Sequence, residues 1–142
     1  AQSAGLEIAF DKIKTTPNTF NAHRLIYWAG IEGCQTPVVA GLFRAYFKRG
    51  LDLGDPAVLV QVGERGGMDG ALVKKLLSSD ADSDVVAEKE TAGRQMGITS
   101  VPTFIVAGQH VVQGAQPPDL WQRVIAELAE MQASQNPSSA AE

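Results

Sequence analysis

Apolar positions recur at helical spacing through most of the first hundred residues. Pro17 and Asn18 punctuate the chain. Ala22, Leu25, Ile26 and Ala29 follow three and four residues apart, which predicts a helix over 19–32 with Asn18 as its N-cap and Gly33 at its end. Thr36-Pro37 pairs a capping residue with a proline at the first helical position. The next stripe is Val39, Leu42, Phe43 and Tyr46, stopped by Gly50. Asp55-Pro56 repeats the start signal for a helix over 56–65, broken at Gly66-Gly67. Asp69 can cap a short helix carrying Leu72, Val73, Leu76 and Leu77, and another helix runs from about Ser83 to Met96. Before all of these, residues 1–16 read as an extended segment with a brief alternation at Leu6, Ile8 and Phe10.

The period then changes. Residues 103–107 and 110–113 are apolar and β-branched and are separated by Gly108-Gln109, which is a hairpin signal. Pro117-Pro118 opens a last helix with Leu120, Val124, Leu128 and Met131 along one stripe, and Trp121 and Ile125 beside it. The tail 133–142 is rich in Ser, Ala and Gln and reads as disordered. The predicted organisation is an extended segment at 1–16, a helical subdomain at 17–97, a hairpin-plus-helix unit at 98–132 and the tail.

Composition narrows the classes. A chain of 142 residues is one domain, or one domain with an insert. Hydrophobic residues at 44% and charged residues at 20% describe an ordinary globular chain. A net charge of -4 argues against nucleic-acid and anionic-membrane partners, which call for a basic patch. No apolar run approaches the roughly 20 residues of a membrane helix. The opening residues AQSAGLEIAF lack the basic start and apolar stretch of a signal peptide. With Cys34 as the single cysteine, the chain can form neither an internal disulfide nor a multi-thiolate metal site. His23 and His110 show no metal-ligand spacing, so no metal is expected.

Three stretches carry a resemblance: TPNTFNAHRLIYWA at 16–29, LFRAYFKRGLDLGDPAVL at 42–59 and GITSVPTFIVAGQHVVQGAQPP at 97–118. Together they resemble the DsbA-like family, in its FrnE-type branch, over nearly everything from Gly5 to Met131. The resemblance implies an α/β thioredoxin-like fold with an inserted helical subdomain. It implies an incomplete one here, a helical block followed by a β-hairpin and a C-terminal helix. Members of this branch begin with a strand and a Cys-x-x-Cys at the start of a helix, and neither is present in this chain. Two strands and one helix do not make a thioredoxin sheet, and a lone hairpin is marginal in water.

The family chemistry is thiol–disulfide exchange. A low-pKa thiolate at a helix N-terminus attacks a disulfide, and a second cysteine resolves the mixed disulfide. The resemblance therefore implies no catalytic residue within this chain, which reads as a fragment of an oxidoreductase, inactive alone. It implies a cis bond between Val101 and Pro102, with the Val101 backbone holding a substrate strand, and Thr103 beside it. His23 is either an imidazole facing the active-site cleft or an exposed helix histidine. Asn18 is an N-cap, a ligand contact, or both. Cys34, lying between two helices with no histidine near it in sequence, reads as a structural thiol. Expected partners are protein or small-molecule thiols and disulfides, with no cofactor, in a cytoplasmic setting.

Two other readings remain open. One is a 2-hydroxychromene-2-carboxylate isomerase-type enzyme, which shares the fold and uses glutathione. The other is a non-catalytic peptide-binding module. In either case the strand at 103–107 has an unpaired edge, so a homodimer through that edge is expected, with Leu6–Phe10 available as a substitute strand.

Overall fold

Asp55 and Asp69 show how local sequence starts helices here. The Asp55 carboxylate accepts from the Ala57 N–H at 2.8 Å, and Pro56 takes the first helical position, where no N–H is needed. Asp69 accepts from the N–H groups of Ala71 and Leu72 at 2.8 and 3.1 Å. These caps open α3 (Pro56–Gly66) and α4 (Gly70–Leu77). They are preceded by α1 (Phe20–Ile31) and α2 (Gln35–Phe43) and followed by α5 (Ser83–Gln95). In this computed structural model residues 5–108 and 110–135 are described. They form two compact units that divide between Thr91 and Ala92.

The first unit packs α1, α2, α3 and α4 around one core. Leu25, Val38, Leu59 and Val73, one from each of these helices, are fully buried. Burying each such side chain contributes roughly 1.5–3 kcal/mol. Ala22, Trp28, Ala29, Leu42, Ala45, Leu53, Val62 and Met68 complete the interior. Among the described residues Arg24 is the buried charged side chain, at 3% exposure. Its guanidinium donates to the carbonyls of Leu76, Ser79 and Ala81, at 3.0, 2.7 and 2.7 Å for Nη2, and to Asn21 Oδ1 at 3.0 Å. It also lies over the Trp28 ring, 4.9 Å from the centroid. Trp28 Nε1–H in turn donates to Asp82 Oδ2 at 2.9 Å. These bonds tie the end of α4 and the loop after it to α1, and they satisfy carbonyls that a helix C-terminus leaves open.

Several local expectations shift. The helical run of α1 starts one residue later than expected, with Thr19 at the cap position, but the Asn18 side chain still accepts from the Phe20 N–H at 3.0 Å. Helix α2 begins at Gln35, so Thr36 and Pro37 lie inside its first turn rather than at its start. Proline is tolerated there because the first four N–H groups have no helical partner. After Phe43 the chain widens into a π-helical turn, Arg44–Lys48, in which the Arg49 N–H donates to the Arg44 carbonyl at 3.2 Å. The buried stripe takes Val38, Leu42 and Ala45, four and three apart as in an ordinary helix. Phe43, expected inside, is 60% exposed, and Ala45 is buried instead. Phe43 stacks on Phe47 at 6.0 Å, and Tyr46 meets Phe47 edge-on at 4.9 Å. Gly50 follows with φ 65°, and a side chain there would collide with the Lys12 backbone. The opening segment carries a 3₁₀ turn at Phe10–Lys12, and the Ala9 N–H donates to the Phe47 carbonyl at 2.8 Å. This bond ties Leu6–Phe10 to the helical unit at Ala9.

The second unit holds the end of α5, then β1 (Thr103–Val106), β2 (His110–Gln113) and α6 (Pro118–Gln135). The strands are antiparallel, with Thr103 opposite Gln113 and Val106 opposite His110. The Gly114 N–H extends the ladder by donating to the Pro102 carbonyl at 2.7 Å. Strand β1 stops one residue short of the expected 107, because Ala107 and Gly108 both take positive φ, 52° and 71°, to turn the chain. Phe104 meets Trp121 of α6 edge-on at 4.7 Å. Helix α6 continues to Gln135, past the expected start of the tail at 133, and residues 136–142 lie outside the described ones. The unit boundary also falls earlier than the expected 97. Val86 anchors the first half of α5 in the helical unit, and no described residue from 92 onward is buried.

Candidate functional site

The helical unit carries a cavity of about 720 Å³ against α1 and the first half of α5. Its apolar wall is Phe20, Ile26, Tyr27 and Val86, side chains that are half-buried or buried against the unit's interior. Its polar groups are Asn18, His23, Gln35, Lys89 and Glu90, all exposed. Helical spacing explains the grouping. Phe20, His23, Ile26 and Tyr27 are three or four apart and share one side of α1. Asn18 stands at the start of that helix with its side chain turned onto the Phe20 N–H. Gln35 reaches back from α2 to donate to the Ile26 carbonyl at 3.2 Å. Lys89 sits over the Tyr27 ring with Nζ 5.5 Å from its centroid, which fixes the wall that α5 supplies.

Two residues nominated from sequence, Asn18 and His23, thus open onto one cavity. The cavity combines an apolar wall with an imidazole, carboxamides and an ammonium, the general make-up of a binding site. It holds no thiol. The wall residues Tyr27 and Lys89, and the Arg24 anchor behind the helix, were not singled out from sequence. The i, i+4 pair of Arg24 with Trp28 in an otherwise apolar helix is the signal that points to the anchor.

Val101, Pro102 and Thr103 lie in the second unit, at the entry to β1. The Val101–Pro102 peptide is cis. Val101 is 89% exposed. Among the described residues its backbone N–H and C=O make no hydrogen bond. The carbonyls on either side of that free residue are held, that of Pro102 by the Gly114 N–H at 2.7 Å and that of Ser100 by the Thr103 hydroxyl at 2.6 Å. Cys34 occupies the N-cap position of α2, half-buried against the core, and its N–H donates to the Ala29 carbonyl at 2.9 Å. Among the described residues no three His, Cys, Asp or Glu side chains are grouped to hold a metal. No described helix is long and apolar enough to cross a membrane.

Comparison with known proteins places these features in a family. The model of the DSBA-like thioredoxin domain matches residues 1–126. An uncharacterized protein of Bacillus subtilis (strain 168), YwbO, is 30% identical over 128 residues, spanning 89% of this chain and 64% of its own length. The crystal structure of a probable DsbA oxidoreductase from Streptomyces coelicolor superposes with a TM-score of 0.72 at 28% identity. The match covers 78% of this chain and 48% of that one. The chain thus spans about half to two thirds of the length of these relatives. It belongs to the DsbA-like thioredoxin-domain family, and its fold is thioredoxin-like of the DsbA kind.

Proposed function

We propose that this chain is the substrate-binding part of a thiol–disulfide oxidoreductase of the FrnE-type branch, and that it has no dithiol activity by itself. The observation that carries the reading is the Val101-Pro102-Thr103 entry to β1. There an exposed backbone N–H and C=O are left unpaired between two groups that are held. An extended peptide adds to such a site by main-chain hydrogen bonds without its sequence being read. That suits an enzyme acting on many proteins. The cavity with Asn18 and His23, in the helical unit, is a separate candidate substrate contact in this reading, and no cofactor takes part.

The chemistry sets the limit on activity. A Cys34 thiolate can attack a disulfide, forming a mixed disulfide and releasing one thiolate, but resolving that product needs a second thiol. With Cys34 as the only cysteine, internal resolution has no partner. Insulin reduction by the chain should equal that of the Cys34→Ser variant. Turnover above the variant sinks the proposal of inactivity. An S-methylated cysteine peptide should bind, and Val101→Pro, which removes the N–H donor, should weaken binding about tenfold. Equal binding to the variant would move the substrate site elsewhere.

The free edge of β1 carries the remaining partner. Among the described residues β1 pairs with β2 alone, and Phe104 and Ile105 are exposed. We propose that a second copy of this chain adds there, since an uncharged, β-branched edge recruits strands. Sedimentation at high concentration should give a dimer that Ile105→Lys converts to monomer. A wild-type monomer refutes the dimer.

A further inference from the structure

The close approach of α2 and α3 creates a cleft that the oxidoreductase reading does not use. Gly41 of α2 faces Val62 of α3, where an added Cβ would sit 3.0 Å from the valine methyl. Gly66, at the end of α3, lies against Val38, leaving no room for a side chain. These two small residues bring the helices together. The same contact leaves a cleft of about 240 Å³, lined by Gly41, Val62 and Gly66 together with three arginines, Arg44, Arg49 and Arg65. Arg44 opens the π-helical turn, Arg49 ends it, and Arg65 stands in the last turn of α3. The π-helical turn decides which way its residues face, and such turns are frequent at functional sites.

No acidic residue lines this cleft. Among the described residues none of the three guanidiniums makes an ion pair or a side-chain hydrogen bond. The nearest acid in sequence, Glu64, is placed over Gly70 of α4. A cation at the end of α3 complements the helix dipole, and this accounts for Arg65. The same holds for Arg49 at the end of the π-helical turn, but not for Arg44, which joins the other two at one cleft in a chain of net charge -4.

We propose that this cleft binds a small oxyanionic ligand, through phosphate or carboxylate groups held by Arg44, Arg49 and Arg65. The three guanidiniums are exposed, so water and salt screen their repulsion, and an anion seated between them is attracted by all three at once. Planar guanidinium forks match the paired oxygens of phosphate and carboxylate. The size limits the ligand to a small molecule with two or three such groups. A nucleic acid calls for an extended basic surface, which the overall charge does not provide.

The test is calorimetric titration of the chain with pyrophosphate and, separately, with citrate, at constant ionic strength. One of the two should bind in the millimolar range or tighter and raise the melting temperature. Pyrophosphate alone marks a phosphate ligand, and citrate alone a carboxylate one. The double variant Arg44→Gln/Arg65→Gln should weaken binding at least about tenfold, and Arg49→Gln should weaken it by a smaller factor. Lys74→Gln/Lys75→Gln, which lowers the charge equally on α4, should leave binding unchanged. Two results overturn the proposal. One is no binding of either anion up to about 10 mM. The other is equal loss in the arginine and lysine variants, which would reduce the effect to net charge.

Discussion

The helical unit and the hairpin unit draw on the same alphabet of apolar stripes and use it differently. In the helical unit the stripes of α1, α2, α3 and α4 face one another, and buried side chains run from Ala22 to Val86. In the hairpin unit α6 carries an equally regular stripe, Leu120, Val124 and Leu128, yet these residues are only half-buried. Val111, Ile125 and Met131 are exposed. Its best contact is the edge-on pair of Phe104 and Trp121. An amphipathic pattern therefore reports which face an element can bury, and burial follows only where enough other faces meet it. The first unit has four helices to meet. The second has one hairpin and one helix, and it keeps an open strand edge where its candidate substrate site lies.

Removing the polar anchor of the helical unit should show the contrast most strongly. Arg24→Met keeps the volume but leaves the carbonyls of Ser79 and Ala81 without their donor, while the Leu76 carbonyl keeps the Ser79 N–H and hydroxyl. We expect a loss of about 3 kcal/mol in urea unfolding, because two part-buried carbonyls lose their donor at roughly 1–3 kcal/mol each. A loss below about 1 kcal/mol would show that water replaces the guanidinium, so that the anchor is not a source of the unit's stability.

Truncation of apolar side chains sharpens the comparison. Leu59→Ala, at a fully buried site, should cost about 2–4 kcal/mol, and Ile125→Ala, exposed on α6, under about 0.5 kcal/mol. Hydrogen exchange on the same protein should show α1 and α3 protected close to the global limit and β1, β2 and α6 exchanging faster. Equal costs at the two sites would erase the distinction between the units. Asp69→Ala removes an acceptor for two N–H groups and should cost about 1 kcal/mol, read from the same unfolding curves. The smallest effect belongs to the hairpin unit. The Arg123–Asp119 pair on α6 spans 4.0 Å with both side chains exposed, so Arg123→Ala should stay within about 0.5 kcal/mol.

Much of this was legible along the chain, because helix starts and turns are local events. Asp55-Pro56 and Asp69 specify their caps through bonds only two or three residues long, and the hairpin follows from β-branched runs around Gly108. Asn18 and His23 were legible as candidates for the same reason, since they sit on one short stretch of a predicted helix. The stripe through Phe43 was misread, because Val38, Leu42 and Ala45 form an equally regular helical stripe on a neighbouring face, and only packing chooses between the two. Arg24 was missed, because the carbonyls that hold it lie 52 to 57 residues away in sequence. The arginine cleft was hidden for a related reason: Arg44 and Arg49 belong to one element and Arg65 to another, and only two glycine contacts between helices bring them together. Sequence by itself determined where the elements begin, which faces they offer and which family they belong to, since capping and periodicity act over a few residues. Tertiary structure decided which charges are buried, which face a common cleft and which strand edge stays open, since those depend on helices meeting across long stretches of chain.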